Sequence, residues 1–257
     1  MARSPEIRIS HDSQTWAAAA AELVHAVGQE AVRAKGQFLI ALSGGTTPET
    51  LYRALTSPAV ADRFDWSRTV FFFSDERGVP PNDPRSNYAL ANNTLFIPLK
   101  IAPSQVYRMA GESREPEAAA HKYEQQLRLA TKASPSTHPS LDLILLGLGE
   151  DGHTASLFPG SPALLDNQRL ITVTQSPKDP PTRLTMTLGV INRASVILFL
   201  VAGAGKAAVV RAILDPKTEA ERQLPASLVA SEEGRLIWLL DRAAAAELPI
   251  HQRGTST

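Results

Sequence analysis

Leu141-Asp-Leu-Ile-Leu-Leu146 runs without a break into Gly147-Leu-Gly-Glu-Asp-Gly-His-Thr-Ala-Ser-Leu-Phe-Pro-Gly160. The first segment reads as a buried strand. The second is a glycine-rich turn that carries Glu150, Asp151 and His153. A turn of this kind delivers backbone and side chains to the strand's carboxyl end, where α/β folds keep their ligands.

Working outward, the same strand-then-turn pattern recurs. Ile7-Arg-Ile9 is a short edge-strand candidate, and Asp12 or Ser13 caps a long helix from Gln14 to Ala34 that Gly36 ends. Phe38 to Leu42 is a buried strand leading into Ser43-Gly44-Gly45-Thr46-Thr47-Pro48. Thr47 as N-cap and Pro48 at the first position predict a helix to about Ser57. Val70 to Phe73 is a strand that runs into a loop at Ser74-Asp75-Glu76-Arg77, and Ser86 caps a helix through Phe96. Glu115 to Thr131 reads as a helix and Lys132 to Ser140 as a surface loop. Strands follow near Leu170 to Val173, Leu184 to Leu188, Val196 to Val201 and Leu236 to Leu240, with a helix from Gly205 to Leu214. Strands alternating with helices predict an α/β fold, a mostly parallel sheet covered on both faces. Residues 1–257 read as one domain, with a disordered tail over 251–257.

The totals narrow the function classes. The chain has 257 residues, a formal net charge of zero and no cysteine. Neutral charge makes nucleic acid and anionic membrane poor partners. The absence of cysteine removes disulfides and thiolate chemistry and fits a reducing compartment. The longest apolar run falls well short of the ~20 residues of a spanning helix. A cytoplasmic location is the expectation. The other histidines, at 11, 25, 121, 138 and 251, do not pair at metal-ligand spacing, so neither a metal nor a cofactor is expected.

Four loops carry candidate chemistry. Ser43 to Thr46 is a strand, two glycines and a helix start, which makes an anion cradle, although any strand-to-helix turn needs glycine. It lacks the Gly-Lys-Ser/Thr of a Walker loop, and Ala41 breaks a Gly-x-Ser-x-Gly elbow. Asp75-Glu76-Arg77 suits orienting a base or clamping a phosphate, or forms a solvated salt bridge. Gly147-x-Gly-x-x-Gly152 matches a dinucleotide fingerprint in form, but Glu150 and Asp151 would repel a pyrophosphate. His153 makes better sense as a general base beside a carboxylate. Lys206, after Gly203-Ala-Gly205, sits where a helix dipole disfavours a cation unless an anion compensates, and Arg183 is a weaker candidate of the same kind.

Together these loops resemble the 6-phosphogluconolactonases, within the glucosamine-6-phosphate isomerase/6-phosphogluconolactonase family. The matching segments are Ala41 to Pro48, Ser74 to Arg77 with Ser86-Asn87, Gly147 to Gly160, and Gly203 to Lys206. The deaminases of the family carry Asn-Glu-Pro after the histidine turn, where this chain has Leu157-Phe158-Pro159, and an aromatic residue where it has Arg77. Both departures favour the lactonase branch. The resemblance implies a Rossmann-like three-layer sandwich and the substrate 6-phospho-D-glucono-1,5-lactone. His153 would activate water, Asp151 or Asp75 would orient it, and Arg77 would face the oxyanion. Ser43, Gly44, Gly45, Thr46 and Lys206 would hold the phosphate, with Arg183 assisting. The expected partner is that phosphosugar lactone, and the expected assembly is a monomer or small homo-oligomer.

Overall fold

The computed structural model describes residues 4–134, 137–249 and 252. Its centre is a six-stranded sheet in the order β1-β9-β8-β5-β2-β3. These strands are Glu6–Ser10 (β1), Phe38–Leu42 (β2), Thr69–Phe73 (β3), Leu143–Leu146 (β5), Val196–Val201 (β8) and Arg235–Asp241 (β9). Every pairing among them is parallel. Such a sheet is buried on both faces, which is why its strands are nearly continuous apolar runs.

Side chains alternate across the sheet and feed two cores. Phe38, Ile40 and Leu42 join the face covered by helices Ser13–Lys35 and Thr46–Leu55. Leu39 and Ala41 join the opposite face, beneath helices Pro116–Thr131 and Ala207–Leu214. The three-layer expectation therefore holds. Asp12 is the residue that caps the first long helix, accepting from the Thr15 N–H at 2.8 Å, and Gly36 ends it at φ 78°.

Four details differ from the sequence reading. Asp75–Arg77 is a strand (β4), not a loop. It opens a small antiparallel sheet, β4-β7-β6, with Ile171–Gln175 (β6) and Thr182–Met186 (β7). The β7 strand thus starts and ends two residues before the apolar run suggested, because pairing with β6 along its whole length sets its span. The helix after β2 starts at Thr46 with Gly45 at the cap, so Thr47 is not the N-cap and Pro48 is the third helical residue. Gly45 lies at φ 103°, and only this left-handed turn lets the helix begin so soon. Before Ala207, residues Ala204–Lys206 form a 3₁₀ turn rather than α-helix. The tail expectation at 251–257 falls outside the described residues except for Gln252.

The chain leaves β2 for β3 on one side and then returns to β5 on the other. The gap between β2 and β5 is therefore the topological switch point, and loops from their carboxyl ends diverge there.

Candidate active site

A cavity of about 300 Å³ opens at that switch point. Its walls come from residues 43–48 after β2, Asp75 and Arg77 beyond β3, residues 147–150 with His153 after β5, and Lys206 after β8. Four segments that lie far apart along the chain meet in one place.

The β2 loop is held by a buried phenol. The Tyr52 hydroxyl donates to the Ser43 carbonyl at 2.6 Å and accepts from the Ser43 N–H at 3.1 Å. Burial pushes this phenol above its ordinary value, so it stays neutral. The helix that follows has no side-chain cap. Its first amides are left without intrahelical partners, and the dipole's positive end lies at the cavity.

The β5 loop is closed by its own backbone. The Gly149 N–H donates to the His153 carbonyl at 2.8 Å, and Thr154 Oγ1 donates to the Gly147 carbonyl at 2.9 Å. This brings His153 Nδ1 to 2.5 Å from Asp151 Oδ1. Burial by itself would raise the Asp151 carboxyl, but the hydrogen bond and charge of His153 outweigh it and hold the group below its usual range. Asp151 stands behind the imidazole, lining a neighbouring groove, while His153 lines the cavity. The His153 ring rests on Phe158, with ring centroids 4.8 Å apart.

Asp75 also lines the cavity and is buried. Its oxygens accept from Ser156 Oγ at 2.7 Å and Asn87 Nδ2 at 3.0 Å, whereas the acid that touches the imidazole is Asp151. Glu76 does not face the cavity. It accepts from the N–H groups of Arg77, Asn87 and Tyr88 and from Ser86 Oγ, all within 2.9 Å. Burial raises its carboxyl and these donors pull the other way. Glu76 is thus a buried carboxyl that accepts from the first amides of helix Asn87–Ala91. Arg77 forms no side-chain salt bridge within its triplet; its Nη1 donates to the Arg85 carbonyl at 2.6 Å.

The family model described as glucosamine-6-phosphate isomerases/6-phosphogluconolactonase matches residues 11–238. The chain belongs to this family. A 6-phosphogluconolactonase from a Synechocystis strain is 42% identical over 85% of this chain and 88% of its own. The 6-phosphogluconolactonase of Mycobacterium tuberculosis is 41% identical over 96% of this chain and 99% of its own. The solved 6-phosphogluconolactonase from Trypanosoma cruzi superposes with a TM-score of 0.82 at 27% identity, covering 96% and 97% of the two chains.

As a member of the glucosamine-6-phosphate isomerase/6-phosphogluconolactonase family, the chain gathers most of its sequence-predicted residues. Ser43 to Thr46, Asp75, Arg77, His153 and Lys206 all line the cavity. Arg183 stands just outside its lining, opposite Arg77 in the β4–β7 register. It is 6% exposed, and its Nε and Nη1 have no partner among the described residues. Burial, then the neighbouring Arg77 charge, push its guanidinium down. The charges of Asp75, Glu76 and Asp179 act in the opposite direction. Sequence reasoning missed Lys178, which also lines the cavity. Its signal was the lysine within the proline-rich run Ser176 to Pro181 that leads to Arg183. Among the described residues, no group of three or more His, Asp or Glu is arranged to hold a metal ion. Nor is any helix among them long and apolar enough to cross a membrane.

Proposed function

We propose that the chain is a 6-phosphogluconolactonase, hydrolysing 6-phospho-D-glucono-1,5-lactone to 6-phospho-D-gluconate in the oxidative pentose phosphate pathway. The observation that carries this reading is the His153–Asp151 pair, 2.5 Å apart, beside a cavity that also holds an uncapped helix start. With Nδ1 engaged by Asp151, Nε2 is the nitrogen that takes a proton from water. The resulting hydroxide attacks the lactone carbonyl at C1. Asp151 keeps the imidazole in that tautomer and balances its positive charge. Arg77 faces the oxyanion of the tetrahedral intermediate. Collapse breaks the bond from C1 to the ring oxygen, and protonated His153 returns its proton to that oxygen.

The phosphate is held by Ser43, Gly44, Gly45, Thr46 and Lys206, with Arg183 assisting. Binding this remote group supplies energy for positioning C1 against the water. Phe158 supports hydrolysis over sugar deamination, because it places an aromatic ring rather than a second carboxylate against His153. The lining draws on residues from 43 to 206, which supports reading residues 1–257 as one domain; the proposed assembly is a monomer or small homo-oligomer. Neutral net charge and the lack of cysteine suit a cytoplasmic enzyme acting on a small molecule rather than on nucleic acid.

The test is decay of 6-phosphogluconolactone, generated in place near neutral pH, against the spontaneous rate. Wild type accelerates it, and His153→Ala loses ~10²–10⁴-fold of kcat. Full activity in His153→Ala sinks the base assignment. Ammonia release from glucosamine 6-phosphate, without lactone hydrolysis, would replace the reading with deamination.

A further inference from the structure

Two side chains outside the proposed chemistry converge on one carboxylate. Ser156 Oγ donates to Asp75 Oδ2 at 2.7 Å. Asn87 Nδ2 donates to Asp75 Oδ1 at 3.0 Å and to the Asp75 carbonyl at 2.9 Å. All three residues are 5% exposed or less. A buried carboxylate is costly unless donors satisfy it, and among the described residues Asp75 has no lysine or arginine in salt-bridge contact. Two neutral donors do that work.

Each donor belongs to a different part of the site. Ser156 lies three residues beyond His153 on the β5 loop, and its N–H donates to Thr185 Oγ1 at 3.2 Å, on β7. Asn87 opens the helix that Ser86 and Glu76 cap. Both groups that Asn87 Nδ2 meets are acceptors, so its amide must turn Oδ1 the other way, against Gly44 of the phosphate cradle. A Cβ on Gly44 would lie 1.8 Å from that oxygen. Gly44, Asn87, Asp75 and Ser156 thus form one chain of contacts across the loops after β2, β3 and β5.

We propose that Asn87 and Ser156 are positioning residues that act through Asp75. They fix its carboxylate in the cavity wall and set the three loops in one mutual geometry. Each Asp75 oxygen keeps an acceptor site beyond the one used. Those sites receive a hydroxyl of the bound phosphosugar, so a loosened Asp75 misaligns the lactone rather than releasing it. The inference rests on the lactonase reading.

The test is a double-mutant cycle on lactone hydrolysis with Ser156→Ala and Asp75→Asn. Ser156→Ala lowers kcat by about tenfold or more with KM changed less than about threefold. In the Asp75→Asn background the same change costs less than about twofold, because the group it acts through is gone. Asn87→Ala repeats the pattern, and Ser156→Cys, a weak donor of similar size, recovers part of the loss. Additive losses, or unchanged kcat in Ser156→Ala, overturn the inference while wild-type turnover keeps the lactonase reading. Wild type that fails to accelerate lactone decay overturns both. If Ser156→Ala does not fold, Ser156→Cys and Asn87→Ala decide by the same criteria.

Discussion

His153 and Asp151 are two residues apart, and their contact makes a titration signature. The Asp151 carboxyl sits below its ordinary range because bonding to His153 outweighs burial. A depressed folded value adds stability above the unfolded carboxyl value of ~3.9, and that stability drains as pH falls through the lower folded one. The side chain is 38% exposed, so solvent screening keeps the effect small. The expected result is a melting-temperature gap between wild type and Asp151→Asn that is steady near about pH 5 and shrinks below about pH 4. A gap unchanged down to about pH 2.5 would remove the ionic reading of this pair. The sequence brought both residues to attention but left Asp151 and Asp75 open as partners. Only the folded loop shows the imidazole on Asp151, while Asp75 bonds Asn87 and Ser156 instead.

At the scale of elements, the strand-to-loop junctions are where the chain's glycines matter most. Gly149 makes room for the pair: a Cβ there would lie 2.0 Å from His153 Nδ1 and 2.4 Å from Asp151 Oδ1. Gly149→Ala therefore moves the imidazole. It is expected to lower kcat by roughly 10²-fold, the scale of a misplacement near 1 Å, while circular dichroism stays that of wild type. Wild-type kcat in that variant would show that the loop absorbs the clash. The apolar runs of β2, β3, β5, β8 and β9 were legible because a strand buried on both faces must be apolar throughout. Asp75–Arg77 was not legible, since three charged residues carry no strand pattern. It becomes a strand only because β7 supplies the pairing edge. The helix start at Thr46 was misread for a related reason. Threonine and proline signal a cap locally, but the left-handed turn at Gly45 puts the boundary two residues earlier than that signal.

For the whole molecule, the sheet is the scaffold that fixes the distances between loops. Trp238 is 1% exposed and stacks on Phe199 at 3.9 Å between ring centroids, joining β9 to β8 on the face beneath helix Ala207–Leu214. Trp238→Ala is expected to cost about 3–5 kcal/mol, read as a lower midpoint in urea denaturation. A loss under about 1 kcal/mol would mean that this face collapses to refill the space. By itself the sequence determined the α/β class, the strands of the large sheet and the four segments that meet at the cavity. Those follow from periodicity, glycine and capping, which act over a few residues. The tertiary structure alone decided which acid meets His153, that Glu76 caps a helix, that Lys178 lines the cavity and that Arg183 lies beside Arg77 with its Nε and Nη1 unpartnered among the described residues. Each of those depends on the spatial arrangement of side chains around strands brought together by the fold, and no local pattern records which neighbour a side chain will meet.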